Sequence, residues 1–490
     1  MLEACGQRSP VIFITGSSTL KRRNQGGFKE TDHVHIAEPL TKYSVLVTDG
    51  QRIPDFINKA FEIALGGNPG PVHLSIPTDI LYSSFEDSEV RAERPLDFSR
   101  KVARAAWPDP HDMERLVDLL RNAKRPVIVA GNGVWWGRAE RELAALATRR
   151  DIPVLIVPYH QALFAEHCSA HCGLADVHQF PPADYALQNS DLVLTIGCRL
   201  DNMLNFGNPP LIPAHTNLVC VSASPEDAGE NHAADVNILG HPKAVLSQLA
   251  TAAPSGTWSD THEWMSTNRD ARSRWIDSLE ELLAREASSR PLHPLSVSVA
   301  LVNALGPADF LVIDGGDTHY WAEMALNMAE FRGKQLRGVF HPGPYSLLGC
   351  GVAFGISIKM NHPDSRVVVL SGDGAFLCSG LSIESAFSER APITVVIDNN
   401  CGLGSIAQQQ KRIWESGKSC GTDFRDIPFD GMFKGLGGYG ETVEDATAID
   451  AALKRAAASG LPACINVRSK SVISPLVEAL TDRRAKASIE

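Results

Sequence analysis

The chain has 490 residues, 44% hydrophobic and 21% charged, the make-up of a folded protein too long for one core, which predicts two or three domains. Lysine plus arginine number 46 against 57 acids, a formal net charge of −11, which argues against nucleic acid or an anionic membrane surface as the main partner. No apolar run reaches the ~18 residues of a membrane span. The start MLEACGQRSPVIFITG lacks a signal-peptide pattern, and the ten cysteines follow no framework spacing, so a cytoplasmic protein with reduced thiols is expected.

Residues 1–95 carry two strand candidates, PVIFITG and PVHLSIP, with the helix candidate PDFINKAFEIALGG between them. Gly66-Gly67 ends that helix and Pro71 opens the next strand. The charged, aperiodic stretch SSFEDSEVRAERPLDFSRKVARAAWPDP reads as a linker. A second unit, 105–255, has strands PVIVAG, PVLIVP, LVLTIG and LVCVSAS with helices between, a Rossmann-like pattern. Its glycines in GNGVWWG could approach a phosphate, but the motif is not a full G-x-G-x-x-G. Ser222 and Ser224 stand where a ribose-binding acid would be expected, so a purely structural domain is the alternative.

Within that unit HCSAHC sets His167, Cys168, His171 and Cys172 close together, a zinc-type donor set. Six consecutive residues rarely close a tetrahedron, and His33 and His35 are remote in sequence, so a surface loop is expected instead. The polar helical stretch TWSDTHEWMSTNRDARSRWIDSLEELLAREASS leads into a third unit, 290–470, with strands FLVIDGG, RVVVLSGDG, ITVVIDNN and ACINVRS. The remainder, 471–490, is a tail ending in Arg483, Arg484 and Lys486, expected as a solvated charge run, with a CoA phosphate as the alternative contact. The fold class is therefore α/β, with three consecutive units built on parallel sheets.

The third unit carries the chemistry. Open parallel sheets bind ligands beyond the carboxyl ends of their strands, and Asp373 and Asn400 both fall there. Gly372 and Gly374 permit a tight turn and close approach to an anion. A carboxylate from Asp373, an amide oxygen from Asn400 and a main-chain carbonyl at Gly402 would suit Mg²⁺ holding a diphosphate. GDG, then 24 residues, then NN, each at a strand end, is a specific combination.

This stretch resembles the binding motif of thiamine diphosphate (ThDP)-dependent enzymes. HPGPYSLLGCGVAFGISIKMNHPDSRVVVLSGDGAF, NNCGLGSI, DGGDTHYW, FKETDHVHIAEPLTKYSVLV and GNPGPVHLSIPTDI are similar to further family segments. GCRLDNMLNFGNPP resembles the central domain of the acetolactate synthase-like, benzaldehyde lyase and 2-hydroxyacyl-CoA lyase group. The resemblance implies Mg²⁺ ligation by Asp373, Asn400 and Gly402. It implies backbone contacts to diphosphate from Gly372, Gly374 and Ala375, with Gly316, Asp317 and Thr318 on the other side. Leu348 would be the bulky residue beneath the folded cofactor, with core packing as its rival reading. Leu403 and Ser405 would border the pyrimidine or substrate.

The implied activity is C–C cleavage or carboligation on a 2-oxo acid or 2-hydroxyacyl-CoA, in a homodimer or homotetramer. The cofactor would supply nucleophilic attack on a carbonyl and stabilisation of the resulting carbanion.

The family's activating glutamate has no counterpart in a matching context. Neither Glu3 nor Glu30 is given that role, and no catalytic residue is assigned. The match starts near the middle of the family's first domain, so an incomplete first domain is expected, with PVIFITG and PVHLSIP left at open sheet edges and the first unit least stable. A non-catalytic ThDP-binding chain is the alternative function, and a nucleotide-dependent oxidoreductase a third. Lys29 stands where relatives often have glutamine, and Ser405 where methionine is common. Met203 replaces the arginine of FAD-containing relatives, so FAD is unsupported.

Overall fold

Three all-parallel sheets follow one another along the chain. The computed structural model describes residues 1–86, 106–157, 163–164, 167–175, 180–227, 231–252, 258–414, 417–475 and 477–478. The middle of the expected linker (87–105) and the tail residues Arg483, Arg484 and Lys486 lie outside the described residues.

The first sheet has β1 (Ile12–Ser17), β2 (Tyr43–Leu46) and β3 (Val72–Pro77) in the order β1-β3-β2. The second has β4 (Pro126–Ala130), β5 (Val154–Ile156), β6 (His171–Leu174), β7 (Leu192–Ile196), β8 (Asn217–Ser222) and β9 (Val236–Leu239), ordered β6-β5-β4-β7-β8-β9. The third has β10 (Phe310–Asp314), β11 (Gly338–Phe340), β12 (Val367–Gly372), β13 (Thr394–Asn399), β14 (Tyr439–Val443) and β15 (Ala463–Arg468), ordered β11-β10-β12-β13-β15-β14.

The third sheet shows why its strands read as unbroken apolar runs. Val368, Leu370 and Val396 point into one core with Leu311 and Ile465. Val367, Val369, Val395 and Ile397 point into a second core on the opposite face, with Phe376 and Phe433. Successive side chains alternate faces, and both faces are covered, so both must be apolar.

Two expectations need correcting. PVHLSIP is not at an open edge. It forms β3, buried along its whole length and flanked on both sides by parallel neighbours, because Tyr43–Leu46 supplies a strand that the sequence reading did not assign. HCSAHC is not a surface loop either. His171 and Cys172 begin β6, and both Cys168 and Cys172 are buried.

The predicted helices are present. Ile53–Leu65 has Pro54 in its first turn and ends at Gly66. The polar stretch forms His262–Arg285, which ties the second sheet to the third: Trp264 Nε1 donates to the Pro126 carbonyl, and the buried Arg272 donates to the Asn327 carbonyl and side-chain oxygen. Among the described residues, no helix is long and apolar enough to cross a membrane.

Candidate cofactor site

The parallel order β10-β12-β13 brings three turns to one edge of the third sheet: 315–318 after β10, 372–375 after β12, and 399–405 after β13. The register fixes them side by side, with Asp314 opposite Ser371 and Gly372 opposite Asp398. Asp373 opens the helix Asp373–Ser379 and is only 2% exposed. Its Oδ1 accepts the Gly374 N–H at 2.7 Å, and its Oδ2 accepts the Gly402 N–H at 3.0 Å, joining the second turn to the third. Burial pushes its carboxyl up to about 6, despite those two N–H donors. A cation beside it would reverse that shift and hold it ionised.

Two residues before Gly402, the Asn400 side-chain oxygen is buried with no hydrogen-bond partner. A buried acceptor without a donor costs on the order of 1–3 kcal/mol, and a cation would satisfy it. Gly402 meets Asp373 through its N–H, while its carbonyl accepts from Gly404 at 3.0 Å. A side chain at Gly402 would start 2.5 Å from the Thr422 carbonyl, so only glycine lets this turn approach its neighbour. Gly374 is similarly tight, because a Cβ there would lie 2.5 Å from Leu403 Cδ2. Ala375 is buried behind it.

On the other turn, nothing lies within 4 Å of a Cβ built on Gly316, which leaves the cradle open at that point. Thr318 Oγ1 donates to Asp398 Oδ2 at 3.0 Å. Asp317 faces elsewhere: both carboxyl oxygens accept the Ser474 N–H at 3.0 Å, and burial pushes it up to about 6. Leu348 is 37% exposed beside Leu347 at 58%, so plain core packing does not describe it. Ser405 Oγ accepts from Gln409 Nε2 at 3.2 Å, one turn into the helix Gly404–Ile413.

Sequence reasoning missed the supports of this cradle. Asp314 accepts the Gly349 N–H at 3.0 Å and the Gly351 N–H at 2.7 Å, which anchors the turn carrying Leu348. Glu3 accepts the Leu347 N–H at 2.8 Å, while Glu30 closes its own loop on the Asn24 and Gly27 N–H groups. Asp314 follows the apolar run FLVI at a strand end, the same signal that singled out Asp373. Glu3 carries no such signal, since its partner is 344 residues away. Lys29 is exposed with its ammonium over the Phe28 ring.

In the second unit the GNGVWWG glycines are used for packing. Gly133 donates to the Gly197 carbonyl at 2.8 Å, and a Cβ on Gly133 would lie 2.6 Å from Gly197 Cα. Ser222 is buried, with its hydroxyl accepting from Asn68 and from the Ser224 N–H. Met203 shares a cleft with Asn132, Gly197 and Asp201. Among the described residues, no three HCSAHC donors come within 4.8 Å of one another: Cys172 Sγ faces Met265 Sδ at 3.9 Å, and His171 contacts the Gly173 carbonyl and Glu330.

Two family models match the chain: the thiamine pyrophosphate enzyme central domain over residues 113–249, and the C-terminal thiamine pyrophosphate-binding domain over residues 314–467. The chain is 25% identical over 464 residues to a probable acetolactate synthase large subunit of Methanococcus aeolicus, covering 91% of this chain and 75% of that protein. It is 28% identical over 487 residues to an acetolactate synthase large subunit of Mycobacterium tuberculosis, covering 95% and 81%. It is 26% identical over 491 residues to a 2-hydroxyacyl-CoA lyase of Arabidopsis thaliana, covering 97% and 82%. The second match runs from Asp314, the last residue of β10, to Val467, one residue short of the end of β15, and so takes in all three turns of the cradle. On these matches the chain belongs to the thiamine pyrophosphate enzymes.

Proposed function

We propose that this chain uses ThDP, held through Mg²⁺ at the 372–375 and 399–405 turns, to break or make a C–C bond in a 2-oxo acid or a 2-hydroxyacyl-CoA. The observation that carries the reading is the pairing of a buried carboxyl at Asp373 with the partnerless buried oxygen of Asn400 at adjacent strand ends. Both are oxygen donors of the type a small divalent cation prefers.

Asp373, Asn400 and the Gly402 carbonyl would hold the ion. Gly372, Gly374 and Ala375 would present backbone to the diphosphate, with Gly316 and Thr318 on the facing turn. Asp317 would act through its contact with Ser474 and position that turn. When bound, ThDP supplies the electron sink for the carbanion left by C–C cleavage. The protein's share is to orient the cofactor: Leu348 supports it from below, and Leu403 and Ser405 border the reacting end. The synthase and lyase names among the relatives support both directions of bond chemistry.

Leu347, Leu381, Ile406, Ile413 and Trp414 are exposed apolar residues on the third unit. Exposed apolar side chains support a homodimer or homotetramer, which sedimentation would detect as a multiple of 53.0 kDa. Ten unpaired cysteines support a reducing, cytoplasmic setting.

The deciding experiment is a panel of 2-oxo acids and 2-hydroxyacyl-CoAs assayed with and without ThDP and Mg²⁺. Turnover that requires both supports the reading. Tight ThDP binding without turnover on any substrate class would favour a non-catalytic role.

A further inference from the structure

The helix Asp317–Phe331 buries two titratable side chains that the cofactor site does not use. His319 and Glu323 lie one turn apart on it, with His319 Nε2 3.0 Å from Glu323 Oε1. His341, the residue after β11, brings its ring centroid to 4.5 Å from that of His319. The three are 7%, 0% and 4% exposed. One donor atom from each lies within 4.8 Å of the other two.

Two imidazoles and one carboxylate form a donor set suited to zinc-class ions, unlike the all-oxygen set at Asp373 and Asn400. The tautomer of His341 also fits. Its Nδ1 lies 2.7 Å from the Pro342 carbonyl, which can only accept, so Nδ1 carries the proton and Nε2 keeps its lone pair. A backbone carbonyl holding the far nitrogen is how ligating histidines are oriented. Spacing rules could not find this set, because His341 stands 22 residues beyond His319 and a strand intervenes. The HCSAHC run sets four donors side by side in sequence, yet among the described residues no three of them come within 4.8 Å of one another.

We propose that His319, Glu323 and His341 bind one divalent first-row ion of the zinc class, separate from the Mg²⁺ site. The ion pins the turn that begins at His341 and carries Leu348 onto the helix that begins with Asp317 and Thr318. It thereby fixes the spacing between two walls of the cofactor cradle.

The test uses the full chain, stripped with a chelator and reloaded with Zn²⁺ or Co²⁺ without ThDP or Mg²⁺. Elemental analysis should find roughly one ion per chain, and Co²⁺ should give visible bands of a nitrogen- and oxygen-ligated site. His341→Gln and Glu323→Gln should each weaken Zn²⁺ binding by about 100-fold or more, since loss of an outer partner alone costs 10–100-fold. Circular dichroism shows whether each variant folds. Should either fail to fold, the wild-type chain still decides the matter: its melting temperature should rise further with Zn²⁺ than with equal Mg²⁺. Absence of stoichiometric metal, unchanged binding in both folded variants, or thiolate charge-transfer bands from Co²⁺ would each overturn the assignment.

Discussion

The first and third sheets are built from the same kind of strand yet are covered differently. Every residue of β12 and β13 is buried, with an apolar core on each face. In β1 the residues alternate between half-buried and open, and Ile14 is 56% exposed. The first sheet gathers its core around Val47, Ala60, Ala64, Val72, Leu74 and Ile76, between β3 and the helix Ile53–Leu65. The turns of the candidate cofactor site therefore spring from strands that cannot shift without disturbing two cores. The first region instead reaches onto that frame through Glu3 on Leu347 and Gln7 on the His341 carbonyl.

The largest effect should come from the doubly covered sheet. Leu370 is fully buried in the middle of β12, so Leu370→Ala should cost about 2–5 kcal/mol of stability. Denaturant unfolding followed by far-UV circular dichroism measures this. A loss below about 1 kcal/mol would mean the two-core description is wrong.

Next is the proposed metal anchor. Asp373→Asn removes the charge but keeps the shape. It should weaken Mg²⁺-dependent ThDP binding by about 100-fold, near 2.8 kcal/mol, in calorimetric titration. The melting temperature should fall modestly, because asparagine keeps one acceptor oxygen while its NH₂ meets the second of the two backbone N–H groups that the carboxylate satisfies. Binding within threefold of wild type would break the link between this strand end and the cofactor.

A third effect is acid sensitivity. His293 caps the helix Pro294–Ala304 by accepting the Leu295 N–H at 3.2 Å, and its ring meets Trp321 edge-on. Burial pulls its pKa from 6.5 down to about 4. Between those values the unfolded chain takes up a proton that the folded chain refuses. Its contribution is therefore complete above pH 6.5 and is lost as pH falls towards 4. The loss should be on the order of 1 kcal/mol by pH 5 after allowance for solvent screening. His293→Asn retains a capping oxygen and should flatten that part of the melting temperature–pH curve.

How much of this was legible follows from the same contrast. Central strands such as VVVL and TVVI are apolar on both faces, and the sequence displays them as runs. Every strand that the sequence reading did not assign is the outermost of its sheet: Tyr43–Leu46, His171–Leu174, Val236–Leu239, Gly338–Phe340 and Tyr439–Val443. An edge strand has one neighbour and less cover, so glycine, histidine, asparagine or glutamate can interrupt its pattern. The site divides in the same way. Asp373, Gly402 and Asn400 lie in local motifs beside apolar runs. Their supports, Ser474 on Asp317 and Glu3 on Leu347, are long-range pairs that no local pattern encodes.

The smallest effect tests the other half of the comparison. Ile14 sits on β1 with more than half its surface open, so Ile14→Ser should change stability by no more than about 0.5 kcal/mol in the isolated chain. The same substitution should matter more if a second copy of the chain covers that strand. Measuring it across a concentration series separates the two cases, because association makes stability depend on protein concentration. Amide exchange adds a direct readout. The amides of β1 should exchange faster than those of β12, whose strand lies inside two cores. Equal protection in the two strands at low concentration would remove the distinction between a yielding first region and a fixed cofactor frame.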